Sequence, residues 1–212
     1  EIEFNPGELL EKAKKFAKFR NRCKLFLENH NRCFDKFTMV SHDSQIGYLT
    51  EKAIKKYLQN KYPEMQISTW EELFNIKKIF NILKKDKCTE AEINYVEKYF
   101  YDDYDLKIKT PKGTFLSDVK TALTSKSPNK KWNFMYPVVQ AEKEGKDMMI
   151  LVYFVVKNTA DLGSLRNLFL VGYTKPGIVK RCKKIKAGEK TRFGTISQID
   201  NYETELQKHY SE

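Results

Sequence analysis

The chain has 212 residues, of which 41% are hydrophobic, 13% aromatic and 32% charged, and this composition excludes a wholly disordered protein. Its net charge of +11 predicts attraction to polyanions, with nucleic acid first and an anionic membrane second. The four cysteines form no CxxC pair, and the three histidines lie at no metal-ligand spacing from them, so we expect no zinc site and a reducing, cytoplasmic location. The longest apolar run, 148–156, is much shorter than the roughly 20 residues of a membrane-spanning helix, so we expect no membrane span.

The first half of the chain is predicted to be mainly helical. Apolar residues recur there at helical spacing, and N-capping signals stand before several of the apolar stretches. We predict helices over 6–29, 46–62, 70–85 and 90–100, the last two opened by capping boxes of Thr69 with Glu72 and Thr89 with Glu92.

After residue 103 the apolar pattern changes to a period of two, which is typical of strands. We predict strands near 104–109, 115–121, 149–157, 167–174 and 178–182, a helix around 133–144 and a last helix in 201–210. The fold class is therefore α/β (α+β), with a mixed central sheet flanked by helices. Within the single domain 1–212 we expect a mainly helical region over 1–100, a sheet core over 101–185 and a C-terminal segment over 186–212.

The predicted hairpin around the Pro-Lys-Gly turn carries charged residues inside apolar strands. Alternation puts Asp105, Asp118 and Lys120 on one face and the apolar side chains on the other. The register that we predict pairs Leu106 with Val119 and Asp105 with Lys120, which makes Asp118 a diagonal neighbour of Asp105.

Two carboxylates from adjacent strands make an oxygen-rich site suited to Mg²⁺, and a nearby ammonium can hold a water or stabilise charge on a phosphate. The alternative is a cross-strand salt bridge worth under about 1 kcal/mol. Asp103 has the same parity as Asp105 and competes for the ligand role. Glu51 lies at one edge of the apolar stripe of its helix and is directed toward the core, although a partnership with Lys55 explains it as well.

The order of these residues resembles that of the PD-(D/E)XK nuclease superfamily. The match consists of a helix glutamate (Glu51), a strand aspartate (Asp105) and an Asp-x-Lys motif (Asp118, Lys120) on the next strand, and it is most similar to the type II restriction endonucleases. Tyr104 stands where the family has proline.

This resemblance implies a Mg²⁺-dependent, sequence-specific double-stranded DNA endonuclease that acts as a homodimer. It implies that Asp105 and Asp118, completed by Glu51, bind Mg²⁺, and that Lys120 orients the metal-activated water that hydrolyses the phosphodiester bond. Two alternatives stay open: a repair or junction-resolving nuclease with the same core, and a non-catalytic basic nucleic-acid-binding protein whose Asp-Lys pair is only a salt bridge.

Two basic segments, 125–133 and 175–194, are candidates for DNA contacts. For 175–194 a solvated basic loop is a serious competing interpretation. Asparagine, glutamine and basic side chains there and just beyond can donate to phosphates or base edges. The candidate DNA-binding residues are Asn129, Lys130, Lys131, Asn133, Lys183, Lys184, Arg192 and Gln198.

Overall fold

The computed structural model describes the backbone of most of the chain, and it places four helices and nine strands among the described residues. The described residues are 2–3, 6–32, 41–128, 133–137, 145–174, 184–185 and 190–195. The helices are α1 (Gly7–Asn29), α2 (Ser41–Lys61), α3 (Ile76–Ile82) and α4 (Glu90–Phe100). The strands are β1 (Ile2–Glu3), β2 (Gln66–Thr69), β3 (Leu106–Thr110), β4 (Gly113–Thr124), β5 (Asn133–Pro137), β6 (Met148–Val156), β7 (Leu165–Thr174), β8 (Lys184–Ile185) and β9 (Lys190–Thr195).

The main sheet has six strands in the order β1-β7-β6-β4-β3-β2. It is mixed, because β4 runs parallel to β6 while the other neighbouring strands pair antiparallel. A second, antiparallel sheet has the order β5-β9-β8. The prediction of a mixed sheet combined with a helical N-terminal half is confirmed.

The first hydrophobic core lies between α2 and one face of the main sheet. Leu49, Ile54 and Leu58 lie in the broad apolar stripe of α2 and are fully buried. Alternate residues of β3 and β6 pack against them, as the period of two requires. The hydroxyl of Thr121 on β4 donates to the hydroxyl of Thr50 over 2.9 Å, which ties the helix to the strand.

A second core holds the other helices together. It is formed by α1, α3 and α4, with Leu27, Ile79, Val96 and Tyr99 fully buried inside it. Helix α1 belongs to both cores, since its residue Ala13 packs in the first one. The long α1 therefore connects the helical half to the sheet.

Most predicted elements agree with the structure, and the capping box at Thr89 is present. Thr89 accepts from the Glu92 N–H over 3.3 Å, and Glu92 accepts from the Thr89 N–H over 3.0 Å. Among the described residues no helix has the length and apolar character needed to cross a membrane. The predicted strand 178–182 and the last helix lie outside the described residues.

The helix predicted over 70–85 is wrong in its first turn. Residues 70–73 form a 3₁₀ turn, and the backbone is extended at Phe74 and Asn75 before α3 begins. The side chain of Asn75 accepts from the Lys78 N–H over 3.0 Å, so a second N-cap starts a new helix in the middle of the predicted one.

The helix predicted around 133–144 is also wrong where the structure describes it. Residues 133–137 form β5, which pairs with β9 and thereby satisfies its backbone groups. Pro137 lies at the end of this strand, where a missing N–H is tolerated. The short strand β2 was not predicted at all, since four residues carry too little periodicity to be recognised.

Candidate metal-binding and catalytic site

The hairpin of β3 and β4 has a register that differs by two residues from the predicted one. Leu106 faces Ser117 and Ile108 faces Phe115, so the predicted pairs Leu106 with Val119 and Asp105 with Lys120 are wrong. The turn needs only Pro111 and Lys112, because Gly113 takes a φ of +155°, a conformation that side chains rarely allow. A shift of two residues keeps every side chain on its predicted face.

Asp105 is held at the end of β3 by two hydrogen bonds to β4. Its N–H donates to the carbonyl of Ser117 over 3.0 Å, and its Oδ2 accepts from the N–H of Val119 over 2.5 Å. The carboxylate thus extends the ladder of the hairpin by one bond. Continuing the observed register by one residue sets Asp105 across from Asp118.

Asp118 and Lys120 form a buried ion pair on β4. Their side chains are 7% and 6% exposed, and the ammonium of Lys120 contacts Oδ2 of Asp118. Val119, between them in sequence, packs toward the core under α2, so the pair lies on the opposite face of the sheet. Two charges taken out of water in this way carry a desolvation cost of several kcal/mol per ion, by order of magnitude.

Asp105 is buried among other carboxyl groups. Burial is the largest cause that raises its pKa well above the ordinary value, and the charges of Asp118, Glu51 and Asp102 raise it further. Lys120 is the cation that opposes them. Asp105 is therefore the point at which the buried pair on β4 meets a second group of carboxylates.

That second group lines a partly open cleft between the helices and the start of β3. The cleft is bordered by Phe16, Arg20, Glu51, Trp70, Glu71, Tyr99, Asp102, Tyr104 and Asp105. Burial, followed by the charges of Asp102 and Glu71, raises the pKa of Glu51 to about 8. Glu51 borders the cleft, and its charge raises the pKa of Asp105.

The residues of the hairpin fit a magnesium ion by chemistry and by charge. Among the described residues no three His, Cys, Asp or Glu side chains are arranged to hold a metal ion. Magnesium needs fewer, since it keeps several waters and uses one or two protein carboxylates together with substrate phosphates. Asp105 and Asp118 supply two such carboxylates from adjacent strands, and the carboxyl groups of Glu51 and Asp102 act on Asp105 as well.

Two further members of the site were not recognised in the sequence. Asp102 borders the cleft, and Arg20 reaches it from α1, where its guanidinium donates to the carbonyl of Phe100 over 2.8 Å. Arg20 and Phe100 are far apart in the chain, so no local pattern indicates this contact. Asp103, the alternative to Asp105, has an exposed side chain.

The candidate DNA-binding residues divide into two groups. Asn129, Lys130, Lys131, Lys183 and Gln198 lie outside the described residues. Asn133, Lys184 and Arg192 lie on β5, β8 and β9. These three strands form the small sheet, so the three candidate residues lie on one sheet.

Comparison with known proteins adds no relative. No family model matches the chain, and neither a curated protein nor a solved structure matches it. Function must therefore be argued from the site alone.

Proposed function

We propose that the chain is a Mg²⁺-dependent endonuclease that hydrolyses phosphodiester bonds of double-stranded DNA, in the manner of a type II restriction enzyme. The observation that carries the proposal is the buried Asp118–Lys120 pair with Asp105 on the adjacent strand. The side chains of a surface salt bridge are solvated, whereas both side chains of this pair are almost fully buried. A surface salt bridge therefore does not explain the pair.

Each of these side chains has a role in the proposed reaction. Asp105 and Asp118 are the residues that would hold the magnesium ion, and the ion would polarise the phosphate and lower the pKa of a water. Lys120 lies beside Asp118, where its ammonium can orient the attacking water and stabilise negative charge that develops on the phosphate.

Glu51 and Asp102 act on the same site through their charges. Both raise the pKa of Asp105, and the pKa of Glu51 is itself raised to about 8, well above the usual range of a carboxyl group. A bound divalent cation would favour the ionised forms of Glu51 and Asp105. We therefore expect magnesium binding to release protons near neutral pH.

The homodimer and the cytoplasmic location belong to the same proposal. A restriction enzyme that cuts both strands of a palindrome needs two copies of the site related by a twofold axis. The basic surplus of the chain, +11, is suited to the polyanionic substrate.

Digestion of phage DNA tests this proposal. With Mg²⁺ present, the parent chain should give discrete fragments, and sequencing of their ends should show one recognition sequence. Asp118→Asn and Asp105→Asn should lose cleavage by at least about a hundredfold, since each removes a charged ligand of the metal.

Asp103→Asn is the matched control, because it removes the same charge from an exposed neighbour in the same segment. Equal cleavage by Asp118→Asn and the parent would refute the assignment of Asp118 to the active site. Cleavage that requires branched or damaged duplexes would instead favour a repair or junction-resolving nuclease.

A further inference from the structure

The face of the sheet that carries Asp118 and Lys120 has a covered half and an open half. On one side of β4, Asp118 pairs with Met149 and Lys120 with Leu151, and both apolar partners are almost fully buried. On the other side, the same face continues onto β3 and β2 through residues that are half-buried or exposed. The buried ion pair lies at the boundary between the two halves.

The open half, which we name the lysine face, is polar and basic. Register places Lys107 between Ser68 and Leu116, and Lys109 between Gln66 and Thr114. The lysine face consists of Gln66, Ser68, Lys107, Lys109 and Thr114. Its strands carry Asp118 as their one acidic residue, and Oδ2 of Asp147 accepts from the Leu116 N–H over 2.7 Å at the border of the lysine face.

Lys107 and Lys109 differ from other lysines near the site. Lys52 and Lys55 on α2 are engaged in ion pairs with Glu71 and Glu72. Within the described residues Lys107 and Lys109 have no carboxylate at ion-pair distance. They stand two residues apart on β3, about 7 Å along the strand, so they can reach different phosphates of one nucleic-acid strand.

The lysine face runs from the candidate site to the edge of the sheet. It begins beside Asp105, which directly precedes β3, and it ends at β2, the edge strand of the sheet. The hydroxyl of Ser68 and the amide of Gln66 add donors of the kind that contact phosphate and sugar.

We propose that the lysine face binds the phosphate backbone of DNA that flanks the bond to be cut, with Lys107 and Lys109 each contacting a phosphate. This inference rests on the proposed function for the identity of the ligand. It adds a binding surface on β2 and β3 that is distinct from the basic segments 125–133 and 175–194.

The test is the salt dependence of DNA binding. Anisotropy of a labelled duplex is measured in EDTA, without divalent cation, between about 50 and 200 mM salt. Lys107→Gln combined with Lys109→Gln should reduce the slope of log K against log salt by about 1.8, since each lost phosphate contact removes about 0.9.

Matched variants separate a local contact from a general loss of charge. Lys12→Gln combined with Lys15→Gln removes two exposed lysines from α1, which packs against α2 on the other side of the sheet, and should leave the slope unchanged. Lys107→Arg combined with Lys109→Arg keeps both charges and should keep the slope. Thermal unfolding of all variants verifies that they are folded.

Equal slopes for the two glutamine variants would overturn the inference. Because binding is measured without Mg²⁺, this outcome is independent of catalysis. A parent chain that never cleaves DNA but shows the expected difference in slope would refute the nuclease and retain the lysine face. A chain that cleaves with an unaltered slope in the variant would do the reverse.

Discussion

Two sets of ion pairs in this protein contrast in burial and in position. Asp118 and Lys120 lie on one strand in the sheet, with side chains 7% and 6% exposed. Lys52 and Lys55 pair with Glu71 and Glu72 to join α2 to the 3₁₀ turn, and the side chains are 18% and 25% exposed in the first pair and 16% and 42% in the second. The first set is almost fully buried, and the second is partly exposed to water.

The difference in burial indicates a different role for each set of ion pairs. The pairs on α2 are partly exposed and link two neighbouring elements, which is a structural role. The pair on β4 gives up hydration and connects two residues of the same strand. A buried pair of this kind is weak evidence for stability, and its position beside Asp105 favours a chemical role.

The sharpest way to break this comparison is Asp118→Ala. It removes the carboxylate that the buried ammonium of Lys120 contacts, so we expect a loss of about 3–5 kcal/mol in the free energy of unfolding. Urea denaturation measures it. Asp103→Ala, on the exposed neighbour, should stay within about 0.5 kcal/mol of the parent. A similar small loss for Asp118→Ala would show that the pair is solvated.

Replacement of both partners separates stability from chemistry. Asp118→Val with Lys120→Met should be as stable as the parent or more stable by about 1–4 kcal/mol, because no charge remains to be desolvated. The same variant should lose cleavage completely. A folded, stable and active double variant would remove the pair from the mechanism.

Glu51 gives a dependence on pH that the surface pairs do not share. Its pKa is raised from the ordinary value of a glutamic acid to about 8 in the folded chain, so the unfolded chain loses this proton at a lower pH. Its contribution to stability is complete below about pH 4.5 and is lost as the pH rises toward 8.

Glu51→Gln should therefore raise the thermal midpoint more at pH 8 than at pH 5. Thermal unfolding without divalent cation from pH 5 to 9 measures the difference, and Glu64→Gln, on an exposed residue after α2, is the control. Parallel curves for Glu51→Gln and the parent would contradict the raised pKa.

The smallest effect is expected for the pairs on α2. A double-mutant cycle on Lys55 and Glu72 should give a coupling of about 0.2–1 kcal/mol, and added salt should reduce it. A coupling near the several kcal/mol expected at Asp118 would erase the distinction between the two sets.

The face that each hairpin residue occupies could be predicted from the sequence, but its partner could not. Alternation decides the face, because an error of one residue would bury charges and expose apolar groups. An error of two residues changes no face, so the register depended on the length of the turn at Gly113.

The cleft could not be predicted from sequence patterns, because its residues come from elements that are far apart in the chain. Arg20 comes from α1 and Asp102 from the segment after α4, and they meet only because the two helices pack together. Local capping signals likewise indicated where helices begin at Thr69 and Thr89, yet only the extended backbone at Phe74 shows that the first helix stops after one turn.

The pairing of β1 with β7 has a consequence for how the chain acquires its structure. Ile2 pairs with Leu168, so the ribosome makes one partner of this pair long before the other. Until the two meet, the backbone groups at the edge of β7 remain open to other chains. The two residues of β1 thus cover part of the edge of β7, and in the folded chain they protect that part from edge-to-edge aggregation.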